Sequence, residues 1–378
     1  MQNIAILLYD YSLLGGVQRV TCNLAQLMYN NDFPIKVVIS IRDSRVVNYD
    51  YPIPVEVIGS GHNMYESLDN VVTKYAVRQV VVQVEDLKFV YPIINHLNIE
   101  GCRVYPVLHS SPYNWIKKYY SPREYLRSPR HIYQWLKMKV YWKKLHLRIF
   151  RELVNKHGII CVSDQARKEL CDILGMSHNT DRVKFVYNPV QMNPGRDVND
   201  KINSVVYAGR LDPDKRPILM LKVWKQLEEN YPEWEFIVLG GGSRVSLMKK
   251  YIEKRKLQNV RMVGTVNNVL DHLNKSKISI LFSKYEGLPT VMLEACYQNN
   301  ALVATLNDGG TRDVVVDGVN GYLVDAKKVD EIVRKMSVLM NDNGKIALEM
   351  ARNNAEIRKK FDTKEIASAW REILTKEG

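Results

Sequence analysis

Two carboxylates eight positions apart, Glu286 and Glu294, bracket the stretch Gly287-Leu288-Pro289-Thr290, which follows the apolar run 278–282 and leads into a helical pattern. Proline suits a first helical turn, and the free N–H groups there, with the positive end of the helix dipole, make an anion site. Acids beside a bound phosphate serve a purpose when they accept hydrogen bonds from hydroxyls, such as those of a ribose and a second sugar. The combination suits a nucleotide-sugar. A second loop, Gly209-Arg210-Leu211-Asp212-Pro213-Asp214-Lys215, follows the run 204–208. Its two fixed cations, Arg210 and Lys215, can offset the charge that develops on a departing diphosphate. A third piece, Gly15-Gly16 after the run 4–8, allows a close backbone approach to a ligand.

These loops need elements to hold them, and the periodicity supplies them. Short β-type runs at 4–8, 35–41, 80–84, 104–108 and 158–163 alternate with helical stretches such as 17–29. The chain turns polar around 188–195, then a second alternation begins, with runs at 204–208, 235–239, 278–282 and 301–304 and helical stretches such as 217–230. An α/β architecture of parallel, doubly wound sheets follows, with ligands beyond the carboxyl ends of the strands. At 378 residues the chain exceeds one ordinary core, so two domains and a cleft between them are expected.

The composition, 46% hydrophobic and 25% charged, is that of a folded protein. No apolar run approaches the roughly 20 residues of a spanning helix, and no basic stretch precedes the first apolar one, so a cytoplasmic location is expected. Cys22, Cys102, Cys161, Cys171 and Cys296 lack metal-site spacing and read as reduced thiols. Asp212-Pro213-Asp214 imitates a D-x-D metal site, but a cation there would duplicate the charge of Arg210 and Lys215, so neither metal nor cofactor is expected. Gly240-Gly241-Gly242 misses a dinucleotide fingerprint because Val245 replaces the third glycine; a tight turn that lets backbone approach a ligand is the simpler reading.

In these pieces and their order the chain resembles a retaining glycosyltransferase of family 4, with the GT-B fold. The resemblance rests on Glu286 and Glu294 as an E-x7-E pair, the G-R-L-x-x-x-K run from Gly209 to Lys215, the Gly15-Gly16 loop, and the segments 303–310 and 314–321. It implies two Rossmann-like domains with parallel sheets facing a central cleft: 1–190 for the acceptor, 191–362 for the nucleotide-sugar, and a last helix in 363–378 packing back on the first domain. It also implies that Arg210 and Lys215 hold the diphosphate and Glu294 the ribose. Glu286 and the backbone of Gly287, Leu288, Pro289 and Thr290 would hold the transferred sugar and its phosphate, His109 would contact that sugar, and the base would lie near Gly264. The donor expected is a UDP-sugar. Transfer would proceed with retention, without metal, the departing phosphate helping to deprotonate the acceptor.

The formal charge of +13 is concentrated. Between Tyr113 and Glu152 eleven Lys or Arg face only Glu124 and Glu152. On a helical wheel Trp135, Met138, Trp142, Leu145, Ile149 and Leu153 share one side, with Lys137, Lys144, Arg148 and Arg151 opposite. Two readings stand: a domain helix with its apolar face in the core and a solvated basic face, or an interfacial surface of segment 113–153 that sets tryptophans and tyrosines at headgroup level and cations on anionic lipid. The second would bring the protein to the inner face of a membrane and to a lipid-linked or polysaccharide acceptor. A protein or soluble-glycan acceptor stays open. So do two other classes, a sugar-nucleotide epimerase and a basic nucleic-acid-binding protein, although nucleic acid is not the expected partner because it has no use for Glu286 and Glu294 beside a phosphate site.

Overall fold

The computed structural model describes residues 1–13, 15–46, 49–117, 129–190, 195 and 200–375, with the side chains of 117, 129–132, 134, 135 and 138 outside that description. The chain forms two compact units, Met1–Pro189 with Asp362–Gly378, and Val190–Phe361.

The first unit runs β1 (Ile4–Asp10), α1 (Gly16–Asn30), β2 (Ile35–Arg42), β3 (Val55–Val57), α2 (Met64–Lys74), β4 (Gln79–Val84), α3 (Leu87–Ile99), β5 (Arg103–Leu108), α4 (Pro112–Lys117), α5 (Pro129–Lys156), β6 (Ile159–Cys161), α6 (Asp164–Leu174) and β7 (Val183–Phe185). Its sheet has the order β3-β2-β1-β4-β5-β6-β7, all pairs parallel. Ile4, Ala5, Ile6, Leu7 and Leu8 are fully buried because helices cover both faces of a parallel sheet. In α1, Val20, Leu24, Leu27 and Met28 recur at helical spacing and are the buried stripe. Asp86 caps α3 by accepting from the N–H groups of Lys88 (3.0 Å) and Phe89 (3.1 Å), and Ser163 caps α6 through Ala166 N–H (3.2 Å).

The second unit runs β8 (Ile202–Ala208), α7 (Pro217–Leu227), β9 (Glu235–Leu239), α8 (Val245–Arg255), β10 (Val260–Gly264), α9 (Val269–Lys275), β11 (Ser276–Leu281), α10 (Thr290–Tyr297), β12 (Ala301–Thr305), α11 (Thr311–Val314), β13 (Gly321–Val324), α12 (Val329–Arg352) and α13 (Asn354–Arg358). α12 is broken at Asn341, Asp342, Asn343 and Gly344, whose backbones leave the helical region. The sheet order is β10-β9-β8-β11-β12-β13, again all parallel. Both units are therefore Rossmann-like, and in each the loops after the strands emerge on one edge of the sheet.

The last helix, α14 (Thr363–Thr375), belongs to the first unit. It buries Ile366, Trp370, Ile373 and Leu374. Gln79 donates its amide to the Leu374 carbonyl at 2.9 Å, and the Arg371 guanidinium reaches the Asn31 carbonyl at 2.6 Å while standing 4.6 Å over the Phe33 ring.

α5 is fixed by its second half, where His146, Ile149, Phe150, Leu153 and Val154 are buried. Trp142 corrects the sequence expectation. It is half-buried and stacks on His146 with centroids 5.9 Å apart, under the Lys88 ammonium at 4.8 Å, so it is packed against α3 and is not an outward anchor. The Trp135 side chain lies outside the described residues. No helix among the described residues is long and apolar enough to cross a membrane. The five cysteines are buried and unbridged.

Candidate functional site

In the second unit the loops leaving β8 and β11 are joined by three sets of contacts. The Lys284 N–H donates to the Asp214 carbonyl at 2.8 Å. The Arg216 guanidinium donates to the carbonyls of Phe282 (3.1 Å) and Ser283 (2.8 Å). Lys215 Nζ meets Glu286 Oε1 at 2.5 Å, with only 16% and 13% of the two side chains exposed. Lys215 sits in a single 3-10 turn, Pro213–Lys215, and Arg216 ends it with left-handed backbone (φ 51°, ψ 49°). A non-glycine residue there costs about 1–2 kcal/mol, and the two carbonyl hydrogen bonds of its own side chain oppose that cost.

Arg210 is more exposed, at 61% of its side chain, and its guanidinium lies against Asp212 (2.5 Å) and Asp214 (3.4 Å). The Ser243 N–H and hydroxyl, at 3.0 and 2.8 Å, hold the Asp212 carboxyl below the usual carboxylate range, helped by Arg210. Both acids of the Asp-Pro-Asp run are thus engaged with protein groups.

Glycines set how closely these loops approach. Gly240 (φ 123°) has no room for a side chain, since a Cβ would fall 2.0 Å from the Gly209 carbonyl oxygen, and one on Gly242 (φ 154°) would fall 2.7 Å from the Leu211 backbone. The glycine triplet therefore makes a tight turn that lets the β9 loop close on the chain itself, at Gly209 to Leu211. Leu211 N–H donates to the Gly241 carbonyl at 2.7 Å, and Gly240 N–H to that of Gly264, also 2.7 Å. Gly264 (φ 89°) thereby borders the same loop cluster from β10.

The other side of the cluster is the entry to α10. Glu286 N–H donates to Asp308 O (3.1 Å) and Gly310 N–H to Gly287 O (2.7 Å), so the loop after β12 holds Glu286 and Gly287 in place. Leu288 is buried, Pro289 is the residue before the helix, and Thr290 begins it. The N–H groups of Thr290 and Val291 precede the first intrahelical bonds, which run from Met292 (3.0 Å) and Leu293 (3.1 Å) to the Pro289 carbonyl. Glu294 is one turn further and buried. The structure thus brings Lys215, Glu286 and the α10 entry together directly, with Arg210 on the same loop as Lys215.

Gly15, Gly16 and His109 belong to the first unit. Gly15 precedes α1 in extended conformation, and a Cβ there would meet Gln18 Oε1 at 2.3 Å; Gly16 faces open space. His109 follows β5, is half-buried, and hydrogen-bonds Gln83 Oε1 through Nε2. Burial pushes its imidazole down to about 4, so it is neutral at pH 7. Two acids stand at neighbouring strand ends. Glu85 accepts from Tyr9 N–H (3.3 Å) and Gln18 Nε2 (3.1 Å), and burial pushes its carboxyl up. Burial also lifts Asp10, but hydrogen bonds from Ser44 and Ser12 outweigh it and hold that carboxyl low.

Arg216 and Glu85 escaped the sequence reading. The signal for Arg216 was faint: a long polar side chain beside Pro217, where a turn must reverse before a helix. Glu85 had only its position after an apolar strand.

Residues 193–358 match the family model described as glycosyl transferases group 1. Over 217 residues the chain is 27% identical to the Campylobacter jejuni GalNAc-alpha-(1->4)-GalNAc-alpha-(1->3)-diNAcBac-PP-undecaprenol alpha-1,4-N-acetyl-D-galactosaminyltransferase, which is 54% of this chain and 60% of that protein. It is 25% identical to the Staphylococcus aureus poly(ribitol-phosphate) alpha-N-acetylglucosaminyltransferase, over 61% of this chain and 46% of that one. The chain thus spans about half the length of these curated relatives. Anabaena HepE, solved in complex with UDP and glucose, superposes with a TM-score of 0.77, at 17% identity over 99% of this chain and 100% of that one, a likeness of fold. The two Rossmann-like domains are of the GT-B class, and with the family match they support a glycosyltransferase.

Proposed function

We propose that the chain is a retaining glycosyltransferase of family 4 that moves a sugar from a UDP-sugar to a lipid-linked or polysaccharide glycan on the cytoplasmic side of a membrane, without a metal ion. The observation that carries this is the Lys215–Glu286 contact at the entry to α10, with Arg210 on the same loop. In this reading the diphosphate takes Lys215 and Arg210 as its counter-charges, and the α10 N–H groups share the load. Glu286, released from Lys215, then accepts hydroxyls of the transferred sugar, and Glu294 those of the ribose. His109, neutral and tied to Gln83, contributes a hydrogen bond and no charge next to the sugar. UDP in HepE and the glycan acceptors named for the curated relatives support the donor and acceptor classes.

The test is a thermal-shift screen of UDP-, GDP- and ADP-sugars, followed by proton NMR of the sugar released in slow hydrolysis, with and without EDTA. Stabilisation by a UDP-sugar, first release of the α-anomer from an α-linked donor, and unchanged rate in EDTA are expected. A shift confined to GDP-sugars overturns the donor, β-anomer release overturns retention, and loss restored by magnesium makes Asp212 and Asp214 ligands. Isomerised donor without acceptor would instead mark an epimerase.

A further inference from the structure

The basic helix was not absorbed by the donor chemistry, and the structure changes which of its residues face outward. Along the first half of α5, Tyr133, Leu136, Val140 and Tyr141 are exposed, at 68%, 45%, 51% and 59%. At 100° per residue these four fall on one side of the helix, the same side as Lys137, Lys144 and Arg151. Those three cations are exposed and seven residues apart, so they form a line with steps of about 10.5 Å. Arg148 shares the face but holds Glu152 Oε1 at 2.7 Å, which leaves it less available. In the second half of the helix Trp142, His146, Ile149 and Leu153 fall on the opposite side and are packed into the unit.

We propose that this face of α5 is a docking surface for an anionic lipid membrane, with Tyr133, Leu136, Val140 and Tyr141 entering the headgroup region and Lys137, Lys144 and Arg151 meeting lipid phosphates. A helix that only solvates a basic face has no use for four large apolar side chains within nine residues of it. Single exposed apolar residues are ordinary, but a contiguous stripe of them marks an interaction surface. The occupant is a lipid surface because the stripe combines tyrosines, which suit a boundary between apolar and wet, with a row of three exposed cations. Tyr133 and Tyr141 are exposed whereas Trp142 is packed against His146 and Lys88, so these tyrosines and not that tryptophan take the headgroup level. The inference does not rest on the donor reading and fails separately from it.

The experiment is cosedimentation of the full chain with phosphatidylcholine vesicles, with and without phosphatidylglycerol, from 0.1 M to 1 M salt, over which the Debye length falls from about 10 Å to about 3 Å. Binding is expected only with phosphatidylglycerol and should fall as salt rises. Each cation near such a surface is worth about fivefold, so the triple variant Lys137→Gln, Lys144→Gln, Arg151→Gln should bind about a hundredfold more weakly. Leu136→Ser with Val140→Ser should also lose attachment at low salt, while circular dichroism and melting temperature stay those of the parent. Equal binding to neutral vesicles, or binding that ignores both variants, overturns the proposal. So does capture of soluble heparin without vesicle binding, or dimerisation of the parent that the Leu136→Ser, Val140→Ser variant abolishes.

Discussion

Glu286→Gln separates the two roles assigned to the loop cluster. In the unliganded protein Glu286 occupies Lys215 at 2.5 Å in a setting only 13–16% exposed, so the carboxylate competes with any phosphate for that ammonium. Glutamine keeps the size and still accepts from the Lys215 ammonium, but the pair loses one of its two charges and falls from the strong towards the weak end of the range of about 1.5–3 kcal/mol for hydrogen bonds to charged groups. The difference, about 1–1.5 kcal/mol, should lower the melting temperature by about 2–6 °C for a unit of this size. The same difference is released to a competing ligand, so UDP should bind about 5- to 12-fold more tightly than to the parent. Transfer from a UDP-sugar should nevertheless fall, because the acceptor for the sugar hydroxyls has lost its charge. Lys215→Met is the control: it leaves a carboxylate without its partner, should cost about 3–5 kcal/mol of stability, and should weaken UDP. Titration calorimetry with UDP, differential scanning fluorimetry and a transfer assay measure the three effects. If Glu286→Gln weakens UDP as much as Lys215→Met does, the competition argument is refuted; normal transfer by Glu286→Gln refutes the sugar role.

Arg210→Ala should lower transfer efficiency by roughly 10- to 150-fold with little change in melting temperature, since its guanidinium is 61% exposed, and steady-state kinetics measures it. Arg216→Gly relieves the left-handed backbone but releases the Phe282 and Ser283 carbonyls, whereas Arg216→Ala keeps the strain and loses the bonds; urea melts should place the alanine variant about 1 kcal/mol below the glycine one. Burial holds His109 neutral down to about 4, while the unfolded imidazole protonates near 6.5, so the unfolded state binds the extra proton between those values. Stability should therefore fall as pH drops from about 6.5 towards 4, and His109→Gln should flatten that part of the pH profile in urea melts.

The central strands were legible and the rims were not, for one physical reason. β1, β2, β4, β5, β8, β9, β11 and β12 are covered on both faces and read as apolar runs. The four strands the sequence did not announce, β3, β7, β10 and β13, are the four sheet edges. They are short and carry charge or glycine, as in Val55-Glu56-Val57, Val183-Lys184-Phe185 and the alternately exposed Val260–Gly264, because an edge must be blunted against further pairing. In the loops, Glu286 and Lys215 could be named from residue type and position after a strand, but their contact spans 71 residues and no local pattern encodes it. Arg216 was hidden because its role lies in backbone conformation and in carbonyls 66 and 67 residues away. For α5 the wheel separated the exposed cations Lys137, Lys144, Arg148 and Arg151 from the packed side of Trp142, Ile149 and Leu153, but it could not say that Trp142 is claimed by His146 and Lys88, a tertiary choice that hydrophobicity alone does not reveal.

The return of α14 to the first unit has a consequence for biosynthesis. Val190–Phe361 is one uninterrupted stretch of chain, whereas the unit around it is written in two instalments. A ribosome therefore delivers everything the second unit needs before it delivers Ile366, Trp370 and Leu374 to the first, and for that interval the nascent N-terminal sheet lacks the helix that receives the Gln79 amide. The later-encoded unit is free to mature first, the earlier one waits, and that waiting surface is where a nascent-chain chaperone has something apolar to hold.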